Sequence, residues 1–93
     1  MGSITTEQLF VNQSIEIEVK KGAYKGKFFS KIEEITQDKI KILPPYKNGE
    51  IVPLRKNTEV EIFFTGEDAA YKFNSRVIDR IKENIQLLVI TTP

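Results

Sequence analysis

Between Ser14 and Val19 the chain alternates without a break: Ile15, Ile17 and Val19 on one side, Glu16 and Glu18 on the other. An extended strand separates such residues onto two faces, because successive side chains point in opposite directions. The same period of two returns at 59–64, where Val60, Ile62 and Phe64 oppose Glu59, Glu61 and Phe63. It returns at 71–77, with Tyr71, Phe73, Ser75 and Val77 against Lys72, Asn74 and Arg76. Half-buried strands are therefore the dominant element.

The connections are short. "GAYKG" (22–26) carries two glycines and reads as a turn. Pro44 and Pro45 stop the strand that holds Ile40 and Ile42, and Asn48-Gly49 is a strong turn signal. Pro53 confines "IVPL" to an edge or an irregular segment. Tyr24, Phe28 and Ile32 share a face, but Ile35 falls out of phase, so a bulge is expected near Glu33 and Glu34. Thr5 and Gln8 have capping-box spacing, enough for one short helical turn. No internal repeat or low-complexity stretch stands out. The expectation is an all-β fold of about six or seven short strands, an antiparallel barrel or sandwich. Its core is expected to hold Ile15, Ile17, Val19, Phe28, Ile32, Ile40, Ile42, Val60, Ile62, Phe64, Phe73, Val77, Leu87 and Val89.

Ninety-three residues make one domain, 1–93. Apolar residues at 40% and charged residues at 29% are a globular balance. The net charge of +1 lacks the basic excess of a domain built to wrap nucleic acid, so nucleic acid is not the expected partner. There is no cysteine and no histidine, which removes disulfides, thiolate zinc sites and the commonest general base. No apolar stretch is long enough to span a membrane as a helix, and the N-terminus lacks a signal-peptide pattern. A cytoplasmic setting is expected.

Catalytic groups are scarce. The carboxylate pairs Glu16/Glu18 and Glu59/Glu61 lie on polar strand faces, where they read as solvated charges. Glu33/Glu34 read the same way. Ser30 and Lys31 are neighbours on a strand and point apart. No phosphate-cradling glycine loop or calcium loop occurs. No enzyme activity and no cofactor are expected.

Two surface features remain. Lys20, Lys21, Lys25, Lys27 and Lys31 cluster around the first hairpin with Tyr24, Phe28 and Phe29 interleaved. One reading is a groove for single-stranded nucleic acid; the other puts Tyr24 and Phe28 in the core and leaves the lysines in solvent. Phe29 and Phe63 fall on outer faces. With Leu88 and Ile90 also out of phase, they outline a candidate interaction surface at Phe29, Phe63 and Leu88. Alternatively, the last strand is covered on both sides.

The order of segments resembles a known family. "VNQSIEIEV" is followed by "GAYKGKFFSKIEEITQDKIKI", then "PPYKNGEIVPLRKNTEVEIFF", "YKFNSRVIDR" and "LLVITTP". This series is similar to the PilZN domain of YcgR-like bacterial flagellar-brake proteins, from about Phe10 to Pro93. Gly49 to Phe64 carries most of the likeness. Asn12 and Asn57 stand where the family often has glycine, a change that turns tolerate.

The resemblance implies a split β-barrel and a non-catalytic regulatory role beside a PilZ domain that binds cyclic di-GMP. It implies relay to a target such as the flagellar motor. It also implies that the chain is cut at the interdomain linker, with Ile90, Thr91, Thr92 and Pro93 as the hinge. The family's RxxxR and D/NxSxxG ligand segments are not expected here. Arg76 and Arg80 match RxxxR by letters only. The alternative is a stand-alone small-barrel binding module for nucleic acid or protein.

Overall fold

The computed structural model describes residues 8–66 and 68–93. The turn expected at Thr5–Gln8 lies outside these residues except for Gln8. The strands are β1 (Ser14–Val19), β2 (Gly26–Ile35), β3 (Lys39–Ile42), β4 (Tyr46–Lys47), β5 (Glu50–Ile51), β6 (Glu59–Thr65), β7 (Ala70–Lys82) and β8 (Gln86–Thr91). Six of them close into an antiparallel barrel in the order β1-β2-β3-β8-β7-β6, while β4 and β5 form a separate small hairpin. Closure removes the open strand edges that a small sheet would expose. The β4–β5 turn has Asn48 and Gly49 at φ 54° and 80°, as a type I′ hairpin requires.

The long strands β2 and β7 each serve both walls of the barrel. The first part of β2 pairs with β1 and the last part with β3. Likewise β7 pairs first with β6 and then with β8. The register slips by one residue between Ile32 and Glu34, where the bulge was expected, and again between Val77 and Asp79. A bulge increases local twist and bends the strand, which lets each strand turn from one wall to the other.

These correspondences belong to a repeat that alternation alone did not reveal, in which residues 9–34 match residues 54–79. Shifting numbers by 45 carries Asn12 onto Asn57, Ile17 onto Ile62, Phe28 onto Phe73 and Ile32 onto Val77. Asn12 N–H donates to the Ile32 carbonyl at 2.7 Å, and Asn57 N–H donates to that of Val77 at 2.7 Å. Both asparagines have φ 71°. Leu9 and Leu54, related by the same shift, are both buried in the core. The pairing of β1 with β6 centres on Ile17 opposite Ile62, so the halves β1–β3 and β6–β8 are related by an approximate two-fold axis. The letters agree: "NQSIEI" matches "NTEVEI", and "KFFSKIEE" matches "KFNSRVID".

All fourteen expected core residues are buried, but β8 has the opposite phase. Ile40 pairs with Ile90 and Ile42 with Leu88, so Leu88 and Ile90 face inward and join the central cluster. Leu87 and Val89 are buried on the outer side. The run 87–90 is apolar on both faces, so its pattern cannot set a phase, and pairing with β3 decides it. Val89 lies opposite Lys41, whose Nζ reaches Glu34 and Glu83, each at 2.7 Å. Those hydrogen bonds, Glu34 first, keep the Lys41 ammonium charged to higher pH than an ordinary lysine. Tyr24 is also corrected: it sits in the turn before β2 and is exposed, while Phe28 is buried.

Asn12 and Asn57, the left-handed asparagines related by the shift, make a test. A residue with a Cβ pays about 1–2 kcal/mol in this conformation, which Gly avoids and Asn tolerates. Asn57→Ala is expected to lower the urea-derived stability by that amount, and Asn57→Gly to keep it within about 0.5 kcal/mol. Equal losses for both variants would mean that the asparagine side chain, and not the backbone, matters.

Candidate interaction surface and chain exit

The outer face of β2, β1, β6 and β7 carries one continuous row across four strands. Phe29 lies opposite Glu16, Glu16 opposite Phe63, and Phe63 opposite Lys72. Phe29 is 80% exposed and Phe63 half-buried. Lys27 Nζ stands 3.8 Å from the Glu16 carboxylate and 5.8 Å from the centre of the Phe63 ring. The ring's negative face attracts the ammonium, so Lys27 holds both neighbours at once.

Beside this row runs a groove of about 460 Å³ lined by Phe10, Gln13, Phe29, Phe63 and Tyr71 among others. Phe10 is 60% exposed. Phe64 and Tyr71 stack along one side, with centroids 5.4 Å apart. The Tyr71 hydroxyl donates to Asp68 at 3.1 Å, and this bond raises the phenol's pKa. Gln13 is buried; its Oε1 accepts from Phe10 N–H at 3.2 Å, while its Nε2 is buried without an acceptor among the described residues.

Leu88 does not belong to this surface. It faces the barrel interior and is 3% exposed, because it pairs with the inward Ile42. The structure thus joins Phe29 and Phe63 and separates Leu88 from them. Phe10 and Gln13 went unnoticed in the sequence, since they precede the first alternating run and carry no periodic signal.

The chain exit is more fixed than a four-residue hinge implies. Ile90 is buried between Ile40 and Val77, and Thr91 is the last residue of β8. Ser75 Oγ donates to the Thr91 carbonyl at 2.8 Å and lies 3.0 Å from its hydroxyl. Arg76 N–H donates to Thr91 Oγ1 at 3.2 Å. Thr92 and Pro93 follow the strand outside any regular element. Removing the clamp with Ser75→Ala is expected to cost about 1 kcal/mol. It should speed amide exchange at the end of β8 and leave β1 unchanged. Equal acceleration in both strands would refute a local clamp.

The remaining sequence candidates separate from one another. Arg76 faces outward opposite Glu59, whereas Arg80, beyond the bulge, lies opposite the inward-facing Leu88. The bulge therefore breaks any shared face. Ser30 Oγ donates to the Leu43 carbonyl, and Lys31 is exposed. In the lysine cluster Lys20 engages Glu61 at 3.5 Å and Lys27 engages Glu16. Glu61 was expected to be solvated but is nearly buried, packed between Glu18 and Asn74 in the register. Among the described residues no group of three His, Cys, Asp or Glu is placed to hold a metal. No helix among them is long and apolar enough to cross a membrane.

Comparison with known proteins adds the following. The family model PilZNR, described as flagellar protein YcgR, matches residues 11–93. No curated protein matches the chain. A solved structure of the Bacillus subtilis inhibitor of motility (MotI/DgrA) is similar, with a TM-score of 0.79 and 25% identity. The match covers 91% of this chain and 42% of that one, so this chain spans less than half the length of that protein.

Proposed function

This chain belongs to the PilZNR family of the flagellar protein YcgR, and from that premise we propose that it is the non-catalytic regulatory half of a flagellar motility regulator. The family match across 11–93 carries the reading. The likeness to an inhibitor of motility supports it. In this reading an adjoining PilZ barrel on the cytoplasmic side binds cyclic di-GMP, and this barrel relays the event to a target such as the flagellar motor.

The barrel's rigidity suits that role. Thr91 is held by Ser75 and Arg76, so within residues 1–93 a change of orientation between the two barrels falls to Thr92 and Pro93. Pro93 restricts Thr92 to extended geometry, which makes the exit stiff. Ligand binding then shifts the population of barrel orientations instead of reshaping either barrel.

Calorimetric titration with cyclic di-GMP tests the division of labour. Residues 1–93 alone are expected to give no heat of binding, and the same chain joined to a PilZ barrel to give saturable binding. Tight binding by residues 1–93 alone would sink the assignment of the ligand to the neighbouring barrel.

A further inference from the structure

The repeat supplies an internal control for reading the surface. Because residues 9–34 correspond by number to residues 54–79, each outer residue in these segments has a counterpart that meets the same demands of the fold. The aromatic groove, lined by Asn12, Gln13, Glu16 and Phe29, maps onto a second groove lined by Asn57, Thr58, Glu61 and Asn74. Phe29 corresponds to Asn74, and Phe63 to Glu18. The fold accepts an amide and a carboxylate at the counterpart positions. Barrel formation therefore does not require phenylalanine at 29 or 63, and burial does not explain an 80% exposed ring.

Two further observations say what the aromatic groove fits. Gln13 Nε2 is a buried donor without an acceptor among the described residues, and Gln13 lines the groove. The carboxamide orientation is fixed by Phe10 N–H, which needs the oxygen, so the free group is the N–H. A buried unpaired donor is a rare and costly feature, and it calls for an acceptor from an occupant. The second observation is charge. Glu16 is engaged by Lys27, and Asp68 by the Tyr71 hydroxyl. Lys31 and Lys72 flank Phe29 and Phe63 on the same face, and neither pairs with a carboxylate among the described residues. The counterpart groove, in contrast, mixes both signs in its lining, Lys20 and Lys21 beside Glu59 and Glu61, with Lys20 paired to Glu61.

We propose that the groove of Phe10, Gln13, Phe29 and Phe63 is a docking surface for an acidic peptide segment of a partner protein. A large apolar side chain of that segment packs on the exposed phenylalanines. A carbonyl of its backbone accepts from Gln13 Nε2, and its carboxylates meet Lys31 and Lys72. The barrel is closed, so the segment does not bind by adding a strand. This surface needs neither cyclic di-GMP nor a second barrel and stands apart from the ligand reading above.

The test is an NMR titration of the 93-residue protein with three synthetic probes: Glu-Asp-Phe-Glu-Leu-Asp-Glu, its Lys/Arg counterpart Lys-Arg-Phe-Lys-Leu-Arg-Lys, and a single-stranded oligonucleotide. The acidic peptide is expected to move the amides of Phe29 and Phe63 and the side-chain NH₂ pair of Gln13, leaving the Asn74 groove still. Phe29→Asn, which copies the counterpart residue and so keeps the fold, is expected to weaken binding about ten-fold or more, the loss typical of a central anchor. The double change Lys31→Glu with Lys72→Glu is expected to transfer preference to the basic peptide. The proposal falls if neither peptide moves these signals, if the basic peptide or the oligonucleotide binds as well, or if the response maps to the Asn74 groove. It also falls if the Phe29 signals shift with protein concentration alone, which would make a second copy the occupant.

Discussion

Ile90→Lys is expected to leave no folded barrel at room temperature, while Phe29→Lys melts within about 4 °C of the parent, what a change of about 0.5 kcal/mol or less produces. Ile90 is 1% exposed and pairs with Ile40 and Val77, both 0% exposed. An ammonium placed there has no carboxylate partner and no route to water, at a cost of several kcal/mol. Loss of the isoleucine's packing adds to this. Together these consume most of the ~5–15 kcal/mol that holds a domain folded. Phe29 is already in solvent, and a lysine there joins Lys27 and Lys31 on the same strand face. Thermal melts followed by circular dichroism separate the two cases. A cooperative melt for Ile90→Lys near the parent temperature would mean that the end of β8 is detached in solution, as a hinge at Ile90 requires.

The second large effect lies outside the barrel strands. Leu54→Ala is expected to destabilise by about 2–5 kcal/mol, as much as a truncation inside a strand. The segment that carries Leu54 is irregular, but Leu54 is 2% exposed and belongs to the central cluster together with Val52. Val52 N–H donates to the Pro45 carbonyl at 2.8 Å and Leu54 N–H to the Val52 carbonyl at 3.0 Å, which curls the chain tightly around Pro53 and turns both side chains inward. Leu9 makes the matching closure in the other half, so Leu9→Ala should cost a similar amount. Urea titrations of the two variants provide the comparison. A loss below about 1 kcal/mol for Leu54→Ala would show that the segment lies loosely on the barrel and plugs nothing.

How much of this was legible in the letters depends on what each residue is bordered by. β1, β6 and the first part of β7 alternate apolar with polar, so their inward faces could be read directly. Ile35 betrayed the β2 bulge because an isoleucine out of phase demands an explanation. No such misfit marks the β7 bulge: Val77 and Ile78 are both apolar, and either phase reads well. The same degeneracy inverted β8. The plug residues Leu9, Val52 and Leu54 escaped notice because irregular segments have no period to read. The surface was half visible. Phe29 and Phe63 stood out among charges, but their union across Glu16, and the buried amide of Gln13 beside them, depend on pairings between strands distant in sequence. The repeat was present in "KFFSKIEE" and "KFNSRVID", yet short segments with several mismatches are easily passed over until the hydrogen bonds set them in register.

That two-fold correspondence bears on how such a molecule can change over generations. A barrel made of two matching meanders is in effect a homodimer whose protomers share one chain, joined through the β4–β5 segment. In a true homodimer every substitution strikes both grooves at once. In the single chain the interior is still bound by the pairing of one half with the other, as Ile17 with Ile62 shows, but the exteriors are free of each other. One flank can be aromatic while its twin is polar.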